Sequence, residues 1–159
     1  AHSIMISFEG VPAIYFNSLF GTSNDKAKFI ITGNNRDLNR YKWNHKNITE
    51  KLKIITSKQS IFYRSITNLL KIKRKQKAFH PNALRSNIDL GNEVFCFKRI
   101  SLDKKQTIIS ITNLTSKIQY PKLNKKYIIW KNLIYPRVNL NKKRFLKLKP
   151  FETMWLSNI

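Results

Sequence analysis

At 159 residues, 42% of them hydrophobic and 12% aromatic, the chain has room for about one domain and lies far from the composition of a disordered polypeptide. No stretch reaches the roughly 18 uninterrupted apolar residues of a membrane span, and the first residues lack a basic-then-apolar leader pattern, so a soluble cytoplasmic protein with no membrane partner is expected. The formal net charge of +23 instead raises a nucleic-acid-binding alternative. The cations are spread along the chain and only eight are arginine, the side chain that reads phosphates and bases in bidentate fashion. Abundant lysine, asparagine and isoleucine also follow from a coding bias toward adenine and thymine.

In chain order, Ile4, Met5 and Phe8 have the spacing of a short helix tail. Residues 11–16, entered through Gly10 and Pro12, form an almost continuous apolar run, the pattern of a strand buried on both faces of a parallel sheet. No second such strand follows, so its sheet partners are expected upstream. Residues 17–47 are rich in Gly, Asn, Ser and Asp and read as one long loop, the kind that carries function at the end of a barrel strand. Residues 54–77 return to helical spacing, with Ser60 or Thr56 as candidate caps and Lys71, Lys73, Arg74, Lys75 and Lys77 suiting the negative end of the helix dipole.

Beyond a boundary near 79–82 the period becomes two. Strands are expected at 94–100, 107–112, 127–130, 144–148 and 151–156, giving a small antiparallel sandwich. Trp130 and Trp155 are expected in its core rather than on a sugar-binding surface. The single cysteine, Cys96, excludes a disulfide framework or a cysteine metal site within one chain and should be a buried small hydrophobe. No metal or cofactor site is expected. The eight acids and the histidines His2, His45 and His80 form no paired catalytic constellation at a recognisable spacing.

The ordered words Gly10-Val11-Pro12-Ala13-Ile14-Tyr15-Phe16, Gly21, Asn24-Asp25 and Gly33-Asn34-Asn35-Arg36-Asp37-Leu38-Asn39-Arg40 resemble the last barrel strand and following loop of sucrose-phosphorylase-like enzymes of the α-amylase clan. Downstream, Ala78-Phe79-His80-Pro81-Asn82-Ala83, Asp89-Leu90-Gly91 and Ile111-Thr112-Asn113-Leu114-Thr115 are similar to the start of their C-terminal β-domain. The resemblance implies the terminal strand, loop and helix of a (β/α)8 barrel over 1–79, followed by an antiparallel β-domain over 80–159.

It further implies retaining glucosyl transfer from a sucrose-like or α-glucoside donor to phosphate. Two carboxyl groups about 5 Å apart perform that reaction, and in the family they sit on earlier strands. The segment alone is therefore expected to lack the catalytic residues, with an upstream chain as the partner that supplies the barrel. Arg36 matches the loop arginine that reaches the glucosyl subsite, and Asp25 is a candidate for the acceptor side. Arg40 and Asn39 are expected to hold the loop, and Tyr15, Phe16, Tyr41 and Trp43 could offer a stacking face, with core packing favoured for Tyr15 and Phe16. A free-standing sugar-binding module over 80–159 is the remaining alternative.

Overall fold

A computed structural model describes residues 1–136 and 146–159. The chain divides into two compact units, one formed by Ala1–Pro12 with Leu69–Ile159 and the other by Ala13–Asn68.

The first unit is built on five strands: β1 (Leu84–Asn87), β2 (Val94–Ile100), β3 (Thr107–Asn113), β4 (Lys131–Asn132) and β5 (Thr153–Ser157). They form one sheet in the order β1-β2-β3-β5-β4, every described pair antiparallel. Because side chains alternate along a strand, the register separates two faces. Val94 and Cys96 of β2, Ile109 and Ile111 of β3, and Met154 and Leu156 of β5 share one face. They pack with Leu123, Ile128, Leu146 and Leu148 as the main core.

On the opposite face lie Phe97, Arg99, Ile108, Ser110, Thr112 and Trp155. Helix α1 (His2–Ser7) covers part of it through Ser7 to Ser110 (3.1 Å) and Ser3 to Thr153 (2.9 Å) hydroxyl contacts. Phe8 rests on Phe95 and Phe97. A 3-10 turn, Lys77–Phe79, brings Phe79 edge-on to Trp155 at 4.8 Å between centroids. A sheet covered on both sides loses the clean polar-out alternation, and β3 is accordingly buried at six of its seven positions.

Several expectations need correcting here. Among the described residues the β-region is one sheet rather than the expected sandwich, because residues 114–130 supply loops and a short helix, α7 (Lys125–Ile128), where a second sheet would need strands. The strand expected at 127–130 is therefore absent, and strand pairing begins only at Lys131. The 144–148 strand falls partly outside the described residues; Leu148 itself forms an isolated antiparallel bridge with Gln119. β1, entirely exposed, had no apolar pattern to announce it. Trp155 is fully buried and Trp130 packs against the core, as expected.

The second unit contains α2 (Phe16–Leu19), α3 (Lys26–Thr32), α4 (Asn35–Leu38), α5 (His45–Lys53) and the start of α6 (Lys58–Arg74). The single loop expected over 17–47 is thus mostly short helices. Its Asn and Asp residues are caps: Asp25, Asn34 and Asn44 each accept a backbone N–H at the start of the following helix, and Gly33, with φ +63, closes α3 in the left-handed region. Such residues favour turns and helix starts alike, which is why composition misled. The cap of α6 is Ser57, whose Oγ accepts from Ser60 N at 3.1 Å, not Ser60 or Thr56. Residues 11–15 form no strand. No strand pairs with them among the described residues, and Val11 is 83%, Tyr15 52% and Phe16 55% exposed. Core packing of Tyr15 and Phe16 is thereby overturned.

Candidate functional site

Within the second unit a cleft of about 460 Å³ is lined by Thr22, Ser23, Asn24, Asp25, Lys26, Ala27, Tyr41, Trp43 and Gln59. Its two aromatic rings meet edge to face at 4.9 Å between centroids. The Trp43 Nε1–H donates to Thr22 Oγ1 at 2.9 Å, which fixes the indole across the opening. The chain reaching Tyr41 is held by the buried Asn17, whose Nδ2 donates to the carbonyls of Tyr41 (3.0 Å) and Asn39 (3.3 Å). Tyr15 OH donates to the same Asn39 carbonyl at 3.3 Å.

Asp25 occupies the cleft wall, yet one carboxylate oxygen is committed to Lys28 N at 3.0 Å as the cap of α3. Its backbone N–H donates to Leu38 O at 2.7 Å, tying α3 to the end of α4. Asp37 pairs with Lys28 at 2.6 Å; the Lys28 ammonium, then Thr32, hold its carboxyl below the ordinary aspartate value. Arg36 stands exposed on α4, and Asp37 faces Lys28 rather than serving as its partner. Arg40 is exposed beyond α4.

The structure therefore joins Asp25 with Tyr41 and Trp43, while Arg36, Asn39 and Arg40 stay outside the cleft lining. The contributions of Thr22 and Asn17 had no sequence signal: a threonine and an asparagine in a polar stretch look alike whether or not they hold a ring or a chain.

Chemically, two aromatic rings beside hydroxyl, amide and carboxylate groups can accommodate a polyol, packing against its apolar face and hydrogen-bonding its rim. Retaining glycosyl transfer needs two carboxyl groups about 5 Å apart, and Asp25 is the one carboxylate in this lining. Among the described residues no group of three His, Cys, Asp or Glu converges as a metal site, and no helix is long and apolar enough to cross a membrane.

No protein-family model matches the chain. It is 30% identical over 156 residues to the glucosylglycerate phosphorylase of Escherichia coli, a match covering 98% of this chain and 27% of that enzyme. The glucosylglycerate phosphorylase of Spirochaeta thermophila is 29% identical over 115 residues, 72% of this chain and 20% of that one. The chain thus spans about a quarter of the length of the E. coli relative and a fifth of the S. thermophila one. Among solved structures, trehalulose synthase of Pseudomonas mesoacidophila MX-45 superposes with a TM-score of 0.68 at 17% identity, covering 98% of this chain and 37% of that one. At that identity the likeness shows the fold alone. Over almost its whole length the chain is similar to a part of sugar-processing enzymes of the α-amylase clan.

Proposed function

We propose that the chain is the C-terminal part of a glucosyl-transferring phosphorylase of the α-amylase clan, with 1–79 as the end of its barrel and 80–159 as its β-domain. The observation that carries this reading is the 30% identity with glucosylglycerate phosphorylase across 98% of the chain. The proposed reaction is phosphorolysis of an α-glucoside such as glucosylglycerate, releasing glucose 1-phosphate. The carboxylates for the double displacement come from the remaining portion of the enzyme, consistent with a cleft that holds only Asp25. Exposure of the adjacent Ile30 (79%) and Ile31 (85%) supports a further polypeptide as partner, since apolar surface of this kind marks interaction sites.

In this reading Tyr41 and Trp43 form a wall against the sugar or its acceptor, Asp25 lies beside them, and the Arg36 guanidinium donates to sugar hydroxyls. Arg40 and Asn39 shape the loop. The test is co-expression of this chain with the E. coli relative cut back to lack its matched segment. Phosphate-dependent release of glucose 1-phosphate from glucosylglycerate is expected only when both are present. Release by this chain alone, or none from a folded pair that co-purifies, would overturn the proposal.

The +23 charge favours a second reading, polyanion binding through the lysine-rich surface. It requires retention on a nucleic-acid column that falls steeply with salt; salt-insensitive or absent retention ends it.

A further inference from the structure

The first unit holds a separate cleft of about 640 Å³. Its apolar lining comes from Val11, Leu70, Phe79 and Leu102, of which Val11 is 83% and Leu102 60% exposed. Lys73, Arg74, Lys75 and Lys77 also line it, against the single carboxylate of Asp103. That carboxylate is already taken: Lys77 Nζ donates to it at 3.1 Å, and Ser101 Oγ donates to its other oxygen at 2.6 Å. Lys73 gives its ammonium to the Ile6 carbonyl at 2.7 Å, a neutral acceptor.

Four cations thus meet one satisfied anion around an aliphatic floor. The C-terminal dipole of α6 offsets only about half a charge, so the rim stays strongly positive. Burial, and then the neighbouring Arg99, push the Lys73 pKa below its ordinary value, the response of a partly desolvated ammonium beside another cation.

We propose that this cleft is a docking groove for an acidic polypeptide segment that inserts aliphatic side chains between Val11 and Leu102 while its carboxylates pair with Arg74 and Lys75. Charge complementarity selects the acidic partner. The lining favours a polypeptide over nucleic acid: Val11, Leu70 and Leu102 are aliphatic, and of its two rings Phe79 is 2% exposed and already edge-on to Trp155, which leaves the His80 imidazole alone where single-strand grooves stack successive bases on aromatic side chains. The groove is independent of glucosyl transfer, and its test does not involve the sugar cleft.

The experiment is fluorescence anisotropy of the full chain with a labelled synthetic peptide carrying two leucines flanked by glutamates, at about 0.05 M and about 0.15 M salt. Saturable binding that weakens at the higher salt is expected. Leu102→Asp, and separately the pair Arg74→Glu with Lys75→Glu, should each weaken it at least about tenfold. Both changes fall on exposed side chains, and circular dichroism checks that the fold is kept. Reversing Lys122 and Lys125, remote from the groove lining, by the same total charge should leave binding within about twofold.

An equal loss from the remote pair would mean attraction by net charge alone and would overturn the proposal. Equal binding of a peptide whose leucines are replaced by serine would do the same, as would no binding at all. A single-stranded RNA that binds more tightly and is indifferent to Leu102→Asp would make the face a nucleic-acid surface and likewise overturn it.

Discussion

Arg99 shows how one side chain can hold a unit together. It is fully buried; its guanidinium donates to Ser7 O at 2.8 Å, His80 O at 2.7 Å and Ala83 O at 3.3 Å. A strand residue thereby ties the end of α1 and the 77–83 turn to the sheet. Burial presses its pKa below the ordinary value, partly opposed by Glu9. Replacement by methionine keeps much of the volume but removes all three donors, leaving the Ser7 and Ala83 carbonyls without this partner while His80 O keeps the Ala83 N–H, and a loss of about 2–4 kcal/mol in urea unfolding is expected.

Asp103 gives the pH dependence. Hydrogen bonds from Ser101, the Lys105 backbone N–H and Lys77 hold its carboxyl below the 3.8 of an ordinary aspartate. A carboxyl whose folded pKa is depressed binds its proton more readily when unfolded, so its stabilisation is full above that ordinary value and is lost as pH falls through the folded one. The urea midpoint of Asp103→Asn should lie below the parent's at pH 7, with the gap closing on acidification below 3.8. Cys96 was legible from its alternating run alone; it is 2% exposed, and burial raises its pKa to about 12. Native protein should therefore react with a thiol reagent only as fast as it opens, and unfolded protein at once.

Among the elements, strands and helices were legible to different degrees for physical reasons. β2 and β3 announced themselves because β-branched and aromatic residues recur along them, whereas β1 carries Leu84, Arg85, Ser86 and Asn87, all exposed, and its pairing with β2 supplies the order that its side chains do not. Helices α2, α3 and α4 were hidden because each has at most seven residues, too few for an apolar period, and because Asp25 and Asn34, like Asn44 ahead of α5, cap with the chemistry that elsewhere makes turns. Residues 11–16 misled in the other direction: a continuous apolar run reports a need for burial, not a guarantee that this chain satisfies it.

Of the two glycines in the second unit, Gly21 is the one against which a neighbour packs. Its φ is +57, and a Cβ built on it would lie 2.6 Å from the Phe62 ring. Phe20 stacks on Tyr63 beside it, 5.7 Å between centroids. Gly21→Ala should cost about 1–3 kcal/mol through backbone strain and displacement of Phe62. The urea midpoint checks it, with Gly33→Ala as the comparison, where φ is also positive but nothing lies within 4 Å of the added carbon.

For the whole molecule, the sequence disclosed the family likeness and an antiparallel β-region, while the arrangement of Asp25, Tyr41 and Trp43 around one cleft required coordinates. Arg36 carried the strongest word in the sequence, yet it stands exposed on α4 and outside the cleft lining. The most direct measurement is made on a chimaera of E. coli glucosylglycerate phosphorylase in which this chain replaces the matched segment. Phosphate-dependent release of glucose 1-phosphate from glucosylglycerate is expected, reduced by Trp43→Ala. A chimaera that folds, keeps the host's catalytic carboxylates and releases none would contradict the assignment of this chain to such an enzyme.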